Sequence, residues 1–379
     1  MFSPELFHNI LKESGVTFYT GIPDSLLKSF CYYIDDNVNS ENHIIAANEG
    51  GALAIAIGHH LSTKNVPLIY LQNSGLGNLI NPLLSLSDPE VYSTPGVLLI
   101  GWRGEPGKSD EPQHKKQGRV TLELLKAMEV PFSILDNSMT NSEVTKIVSN
   151  CVDLSRSSNQ IHALVVKKNF FESYKSNESI DSKFSLTREK SIQLIVNSLD
   201  TNDFVVSTTG LASRELYEYR KNTTQDHSKD FLVVGGMGHA NQIAFGLSLS
   251  QSKKRIICLD GDGAIIMQMG SMALIGTSRA KNLLHIVLNN GAHDSVGGQK
   301  TAALEIDLSV LAKGFGYQHI ISVENEKDLI HELSKINKFS GPIFLEVKIK
   351  KGFRPEIGRP SKTPLENKIN FMSNFKNFE

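Results

Sequence analysis

Two runs of hard oxygen donors stand one element apart in the second half of this sequence. The first, Asp260-Gly261-Asp262-Gly263, closes an apolar β-rich run, Arg255–Leu259, and precedes a helical segment. The second, Asn289-Asn290-Gly291, closes the next apolar run, Leu283–Leu288. If those runs are neighbouring parallel strands, Asp262 and Asn290 lie side by side at one sheet edge. Carboxylate, carboxamide and backbone oxygens suit Mg2+, which commonly keeps the phosphates of a bound ligand in its shell. The flanking Gly261 and Gly263 let the backbone approach an anion closely. A lone Gly-Asp-Gly is usually just a turn; with Asn-Asn closing the following strand it points to a metal-diphosphate site.

One strand earlier, Gly235-Gly236-Met237-Gly238 opens a helical run, His239–Ser248, whose first amides can face a phosphate. Gly236-x-Gly238 lacks the third glycine of a dinucleotide fingerprint, which argues against a nicotinamide site. Met237 alone reads equally well as a core side chain. In the first half, Glu49 follows the apolar run Ile44–Ala47 and precedes a small-residue helix, Gly50–His60. A glutamate there is ordinarily a favourable charge at a helix N-terminus. It is also a carboxylate in a place where a ligand can reach it.

These residues need a frame, and the hydrophobic pattern supplies one. Short apolar runs recur at Thr17–Thr20, His43–Ala47, Val66–Leu71, Val97–Gly101, Phe132–Leu135 and Ala163–Val166. The rhythm repeats at Phe204–Ser207, Phe231–Val234, Arg255–Leu259, Leu283–Leu288, Tyr317–Ser322 and Ile343–Val347. Unbroken apolar strands alternating with helical segments imply parallel sheets covered on both faces. The fold class is therefore α/β, with two doubly wound parallel-sheet domains expected at 1–170 and 188–350. A polar stretch within 171–187 reads as a linker, and 351–379 as an ordered tail on the surface. In such sheets ligands bind beyond the carboxyl ends of the strands.

The paired motifs resemble those of thiamine-diphosphate-dependent enzymes. The resemblance implies that Asp262, Asn290 and the backbone of Ala292 hold Mg2+. It implies that Gly235, Gly236, Met237, Gly238, Gly261 and Gly263 help to bind the cofactor, with Met237 supporting its bent conformation. Asn48-Glu49-Gly50 resembles the activating glutamate that shares a proton with the aminopyrimidine ring. The two domains would then be a pyrimidine-binding and a diphosphate-binding domain. Family members grip the two cofactor halves with different subunits, so at least a homodimer is implied. There is no room here for the middle domain of the larger decarboxylases and carboligases.

That departure points to the compact branch that acts on phosphonopyruvate and sulfopyruvate. The runs Gly21-Ile22-Pro23-Asp24-Ser25, Gln72-Asn73-Ser74-Gly75 and Gly101–Gly107 resemble the phosphonopyruvate decarboxylase family. So do Asp110-Glu111-Pro112-Gln113-His114, Asn290–Ser295 and Gly358-Arg359-Pro360. The implied substrate is a 2-keto acid with a phosphonate group, decarboxylated to phosphonoacetaldehyde for phosphonate (2-aminoethylphosphonate-type) biosynthesis. Ser25, Arg103, Lys115 and Lys300 are candidate substrate ligands, Arg103 through its planar fork. His114-Lys115-Lys116 reads more readily as a solvated charged face. Asp24 and His293 are candidate proton donors, as is His114. Asp24 could equally cap the next helix, and His293 could merely pack. The rival readings are a sulfopyruvate decarboxylase, told apart by the cations at the pocket, and a noncatalytic cofactor-binding protein of the same fold.

Composition excludes other classes. Lys and Arg number 39 against 40 Asp and Glu, without the basic excess of a nucleic-acid binder. The sparse Cys31, Cys151 and Cys258 suit buried positions and a reducing, cytoplasmic setting. Met1–Lys12 has no apolar leader region, and Ile44–Ile57 is too short and too polar to span a bilayer, so no membrane association is expected.

Overall fold

Each apolar run forms a strand in the computed structural model, which describes residues 1–177, 183–278 and 280–375. The first six are β1 (Tyr19–Gly21), β2 (His43–Ile45), β3 (Leu68–Gln72), β4 (Gly96–Gly101), β5 (Phe132–Leu135) and β6 (Ile161–Val166). The second six are β7 (Phe204–Ser207), β8 (Asp230–Leu232), β9 (Ile256–Gly261), β10 (Leu283–Asn289), β11 (His319–Val323) and β12 (Ile343–Lys348). They make two six-stranded sheets, ordered β2-β1-β3-β4-β6-β5 and β11-β12-β10-β9-β7-β8. Every pairing between them is parallel. Read from its other edge, the second order repeats the first. In each sheet the chain winds outward in both directions from the first and third strands, β1/β3 and β7/β9, which form a switch point for ligand binding.

The chain divides into two compact units, Met1–Ser179 and Ile180–Glu379. Of the expected linker, residues 178–182 lie outside the described ones, as do residues 376–379 of the expected tail.

Side chains alternate across each strand, so a sheet buried on both faces needs apolar residues at every position. The second unit shows this directly. Val205, Ile257, Leu284 and Leu345 enter one core cluster, whereas Phe204, Val206, Ile256, Cys258 and Phe344 enter the other. In the first unit, Tyr19, Leu68, Tyr70, Val97, Leu99, Leu164 and Val166 pack with the helices Pro4–Glu13, Lys28–Asn37 and Asn141–Ser158. The three cysteines are free and buried. Among the described residues no helix is long and apolar enough to cross a membrane.

The tail departs from expectation. It is more than a surface strap, because the helix Pro364–Met372 turns Phe371 into the core, where it is 4% exposed. Its ring meets Phe204 edge-on at 5.6 Å. A capping box at Thr363 and Glu366 starts this helix, and burial of one aromatic anchors it.

Candidate active site

The candidate residues fall into two groups, one in each unit. In the second unit β9 and β10 are hydrogen-bonded neighbours, with Leu288 in register with Gly261. Asp262 and Asn290 therefore leave adjacent strands at the same edge. Asp262 is the first residue of the helix Asp262–Met267 and is 3% exposed. Burial pushes its pKa up to about 7, and a hydrogen bond from Thr301 Oγ1 at 2.5 Å offsets this only in part. A divalent cation in contact would supply the charge that burial withholds.

Asn290 Nδ2 donates to Asp294 Oδ2 at 2.7 Å. Its Oδ1 accepts the Ala292 amide at 3.2 Å. The following loop turns back on itself: Ala292 bridges Lys300, and the Thr301 amide reaches the Gly291 carbonyl at 2.9 Å. That return places Thr301 against Asp262. Gly291 makes the turn at φ 64°, where a Cβ would also strike Leu304 at 2.5 Å.

Met237, Asp262, Asn290, Ala292 and His293 line one cavity with Gly261 and Gly263. A Cβ on Gly263 would lie 2.8 Å from the His293 ring and 3.2 Å from Met237 Cε, so the bare glycine lets both side chains cross it. His293 is half-buried, and burial lowers its pKa to about 4, so it is neutral near pH 7. The Gly235–Gly238 turn follows β8 and leads into the helix Ala240–Ser250, whose N-terminus has no side-chain cap. A Cβ on Gly238 would come within 3.0 Å of the Ala264 carbonyl, so this turn packs on the helix that Asp262 begins. Lys300 is exposed. A larger cleft lined by Lys253, Lys254, Arg255 and Lys281 lies at the opposite, amino-terminal edge of the sheet and shares no residue with this cavity.

In the first unit Glu49 opens the helix Glu49–Thr63, which Asn48 caps by accepting the Gly51 amide at 2.8 Å. Glu49 is 6% exposed, and burial raises its pKa against a 2.8 Å hydrogen bond that Asn78 Nδ2 donates to Oε2. Oε1 sits where a Cβ on Gly75 would be, 2.3 Å away. This carboxylate is thus held by one oxygen, with glycine making space at the other. A proton-sharing group needs such a setting.

The remaining candidates gather at the ends of β1 and β4. Asp24 is fully buried and accepts the Leu26 and Leu27 amides at 3.0 and 3.3 Å. Burial pushes its pKa up to about 6, opposed by those amides and by Arg103. Asp24 thus ties down the turn before the helix Lys28–Asn37 but does not cap it as one alternative expected, since the N-cap is Leu27 and carries no side-chain bond. Arg103 Nη1 donates to Ser25 Oγ at 2.8 Å. Its fork, expected to face a phosphonate, is taken by Asp110, with Nε and Nη2 donating at 2.9 and 2.5 Å. Asp110 also accepts the Gly104 and Glu111 amides at 2.8 and 2.7 Å. Burial opposes its charge, yet Arg103 and these amides hold its pKa well below the usual range.

His114 is buried on the helix Pro112–Ala127, and its Nδ1 has no hydrogen-bond partner among the described residues. Burial, then the Arg103 charge, lowers its pKa. Lys115 is exposed, as a solvated face would have it. Asn73 joins two of these loops, donating to the Arg103 carbonyl and accepting its amide at 2.8 and 3.1 Å.

Sequence reasoning did not find Asn78, Thr301, Asp294 or the Asp110 partner of Arg103. Only Asp110 carried a local sign, since it stands two residues before a proline suited to open a helix. The others act across 29, 39 and, for Asp294 with Arg188, 106 residues, and no local pattern reports that.

Two family models match the chain: the N-terminal TPP binding domain of thiamine pyrophosphate enzymes over residues 4–124, and their C-terminal TPP binding domain over 208–347. The phosphonopyruvate decarboxylase of Streptomyces viridochromogenes is 31% identical over 373 residues, covering 93% of this chain and 89% of its own. That of Streptomyces hygroscopicus is 30% identical, covering 93% and 88%. A sulfopyruvate decarboxylase of Methanosarcina acetivorans is 26% identical, covering 90% of each. With thiamine-pyrophosphate-binding domains in both halves and relatives matched nearly end to end, the chain belongs to the phosphonopyruvate decarboxylase family of thiamine-diphosphate enzymes.

Proposed function

We propose that this protein decarboxylates 3-phosphonopyruvate to phosphonoacetaldehyde and CO2, using thiamine diphosphate and Mg2+. The C1–C2 bond breaks, CO2 leaves, one proton is taken up, and the C–P bond is kept. The observation that carries the reading is the convergence of Asp262, Asn290 and Met237 on one cavity, in a chain that also buries Glu49 beside Asn78. When bound, the cofactor supplies the electron sink for the departing CO2.

The protein's residues do the rest. Asp262, Asn290 Oδ1 and the Ala292 carbonyl would hold Mg2+, with the Gly235–Gly238 turn and the Ala240 helix end toward the diphosphate. Glu49 holds or releases one proton through the oxygen beside Gly75, and burial, by raising its pKa, helps it to hold that proton. Ser25 and the N–H groups that Asp110 leaves open on Arg103 orient the substrate's anionic end. Asp24, His114 and His293 are the candidate proton donors; burial raises Asp24 to about 6, whereas His293, lowered to about 4, is neutral near pH 7 and donates poorly there. An assembly of at least two copies is part of the proposal. So is the domain assignment, with residues 1–170 serving the pyrimidine and 188–350 the diphosphate and metal.

Sulfopyruvate is the second reading, and one observation favours it. Asp110 pairs with Arg103, so this cluster offers less net positive charge than its arginine suggests. A sulfonate carries one negative charge where a phosphonate carries up to two. CO2 release by purified protein with thiamine diphosphate and Mg2+, comparing phosphonopyruvate, sulfopyruvate and pyruvate, decides the matter. Preference for phosphonopyruvate is expected. Preference for sulfopyruvate would move the specificity and keep the chemistry, and no release from any of the three would remove the assignment.

A further inference from the structure

A carboxamide can rotate to exchange its oxygen and nitrogen at little steric cost, but only the oxygen can ligate a cation. Something must choose the orientation of Asn290. Its nitrogen donates to Asp294 Oδ2 at 2.7 Å, and an ionised carboxylate can only accept. Arg188 Nη1 donates to the same oxygen at 3.0 Å, so Asp294 faces donors on both sides. Glu215 fixes Arg188 through Nε and Nη2 at 2.9 and 3.1 Å. The Gly352 amide, just beyond β12, donates to both Asp294 oxygens at 3.2 and 3.1 Å. The side chains of Arg188, Glu215 and Asp294 are 9, 2 and 5% exposed, so water does not scramble the set.

The geometry assigns Asp294 as a positioning residue that turns the Asn290 oxygen to the metal, with Arg188 and Glu215 holding its carboxylate in place. The inference rests on the metal assignment proposed above. It predicts that charge and acceptor character at position 294 matter more than shape. An asparagine there could donate as well as accept, so the choice of Asn290 orientation would fall to the longer 3.2 Å bond from the Ala292 amide although the volume is unchanged. An aspartate at position 290 has two equivalent oxygens and needs no orientation.

The test is calorimetric titration of Mg2+ in the presence of thiamine diphosphate, with melting of the metal-free proteins as the control for folding. Asp294→Asn should weaken Mg2+ binding about tenfold or more, the range for groups that orient metal ligands. A smaller loss overturns the assignment. The double variant Asn290→Asp/Asp294→Asn, which keeps one carboxylate and one carboxamide, should bind Mg2+ more tightly than Asp294→Asn alone. A purely structural role would make the two defects add, and no recovery overturns the assignment. Should Asp294→Asn fail to fold, the double variant carries the test: less than about a tenfold loss from wild type supports the role, and a larger loss removes it. Asp262→Ala separates the two readings. If it leaves Mg2+ binding unchanged, the metal site itself is misplaced. If it abolishes binding while Asp294→Asn does not weaken it, the metal site stands and the positioning role falls.

Discussion

The two units share a strand order, but equivalent loops carry different chemistry. After the second strand, the first unit has Asn48-Glu49 and the second has the Gly235–Gly238 turn. After the third strand, the first has Asn73-Ser74-Gly75 where the second has Asp262. After the fourth, the first has Arg103 where the second has Asn290. In the first unit these loops are bonded to each other: Asn73 grips the Arg103 backbone, and Asp110 takes the Arg103 fork. In the second unit Asp262 and Asn290, the proposed oxygen ligands, are hydrogen-bonded to Thr301 and Asp294. One topology thus offers the same three loop positions twice. Whether a position binds an organic ring, a metal or an anion is decided by the side chains and by how far the neighbouring loops satisfy them.

Substitutions in the paired loops can break or sharpen this contrast. The largest effect is expected at Glu49. Glu49→Ala should lower turnover about 10²–10⁴-fold, as for loss of a proton-transfer group, with cofactor affinity by calorimetry nearly retained. Near-wild-type turnover would remove Glu49 from the chemistry and leave it as a helix-terminal charge. Asp262→Ala, at the neighbouring loop position of the other unit, should behave oppositely, with metal-dependent cofactor affinity falling about 100-fold or more. Equal effects of the two variants on affinity would erase the proposed division of labour.

Asp24, after the first strand, should report through stability. Its folded pKa of about 6 lies above its usual 3.8, so the folded state favours the protonated form. Stability from this group is fully present below about pH 4 and is lost as the pH rises through about 6. Asp24→Asn should therefore gain about 2–3 kcal/mol over wild type at pH 7 and nearly nothing at pH 3.5, from a shift of about two units. Thermal melts across that range check it, and a difference independent of pH would mean that burial does not hold the proton. The smallest effect is expected at Arg103. With its fork engaged by Asp110, Arg103→Ala should raise KM for phosphonopyruvate about tenfold more than for pyruvate, the size of one charge-assisted hydrogen bond. An equal change in both would mean that Arg103 only braces Ser25 and the loop.

Much of the frame was legible because parallel strands buried on both faces have no polar side to interrupt them. Phe132–Leu135 and Phe204–Ser207 match their strands residue for residue. The expected Thr17–Thr20 forms Tyr19–Gly21 instead, because β1 is only as long as its pairing with β2 and β3. The juxtaposition of Asp262 and Asn290 was legible for a related reason: each directly follows a strand, and neighbouring parallel strands bring their ends together. The Arg103 reading was incomplete because a guanidinium seven residues from a carboxylate in a loop has no periodicity to betray the pairing. Lys115 and His114 are adjacent in sequence, yet one is exposed and the other buried, since a helix turns successive residues about 100° apart.

The sequence by itself determined the alternating α/β architecture, the positions of Glu49, Asp262 and Asn290 at strand ends, and the thiamine-enzyme resemblance. These depend on local pattern, and local pattern survives in one dimension. Only the tertiary structure decided that Asn78 holds one oxygen of Glu49, that Thr301 and Asp294 hydrogen-bond Asp262 and Asn290, and that Asp110 occupies the fork of Arg103. Hydrogen bonds between side chains depend on distances of about 3 Å and on direction. The fold sets both by bringing distant loops together, and the linear order of residues does not encode them locally.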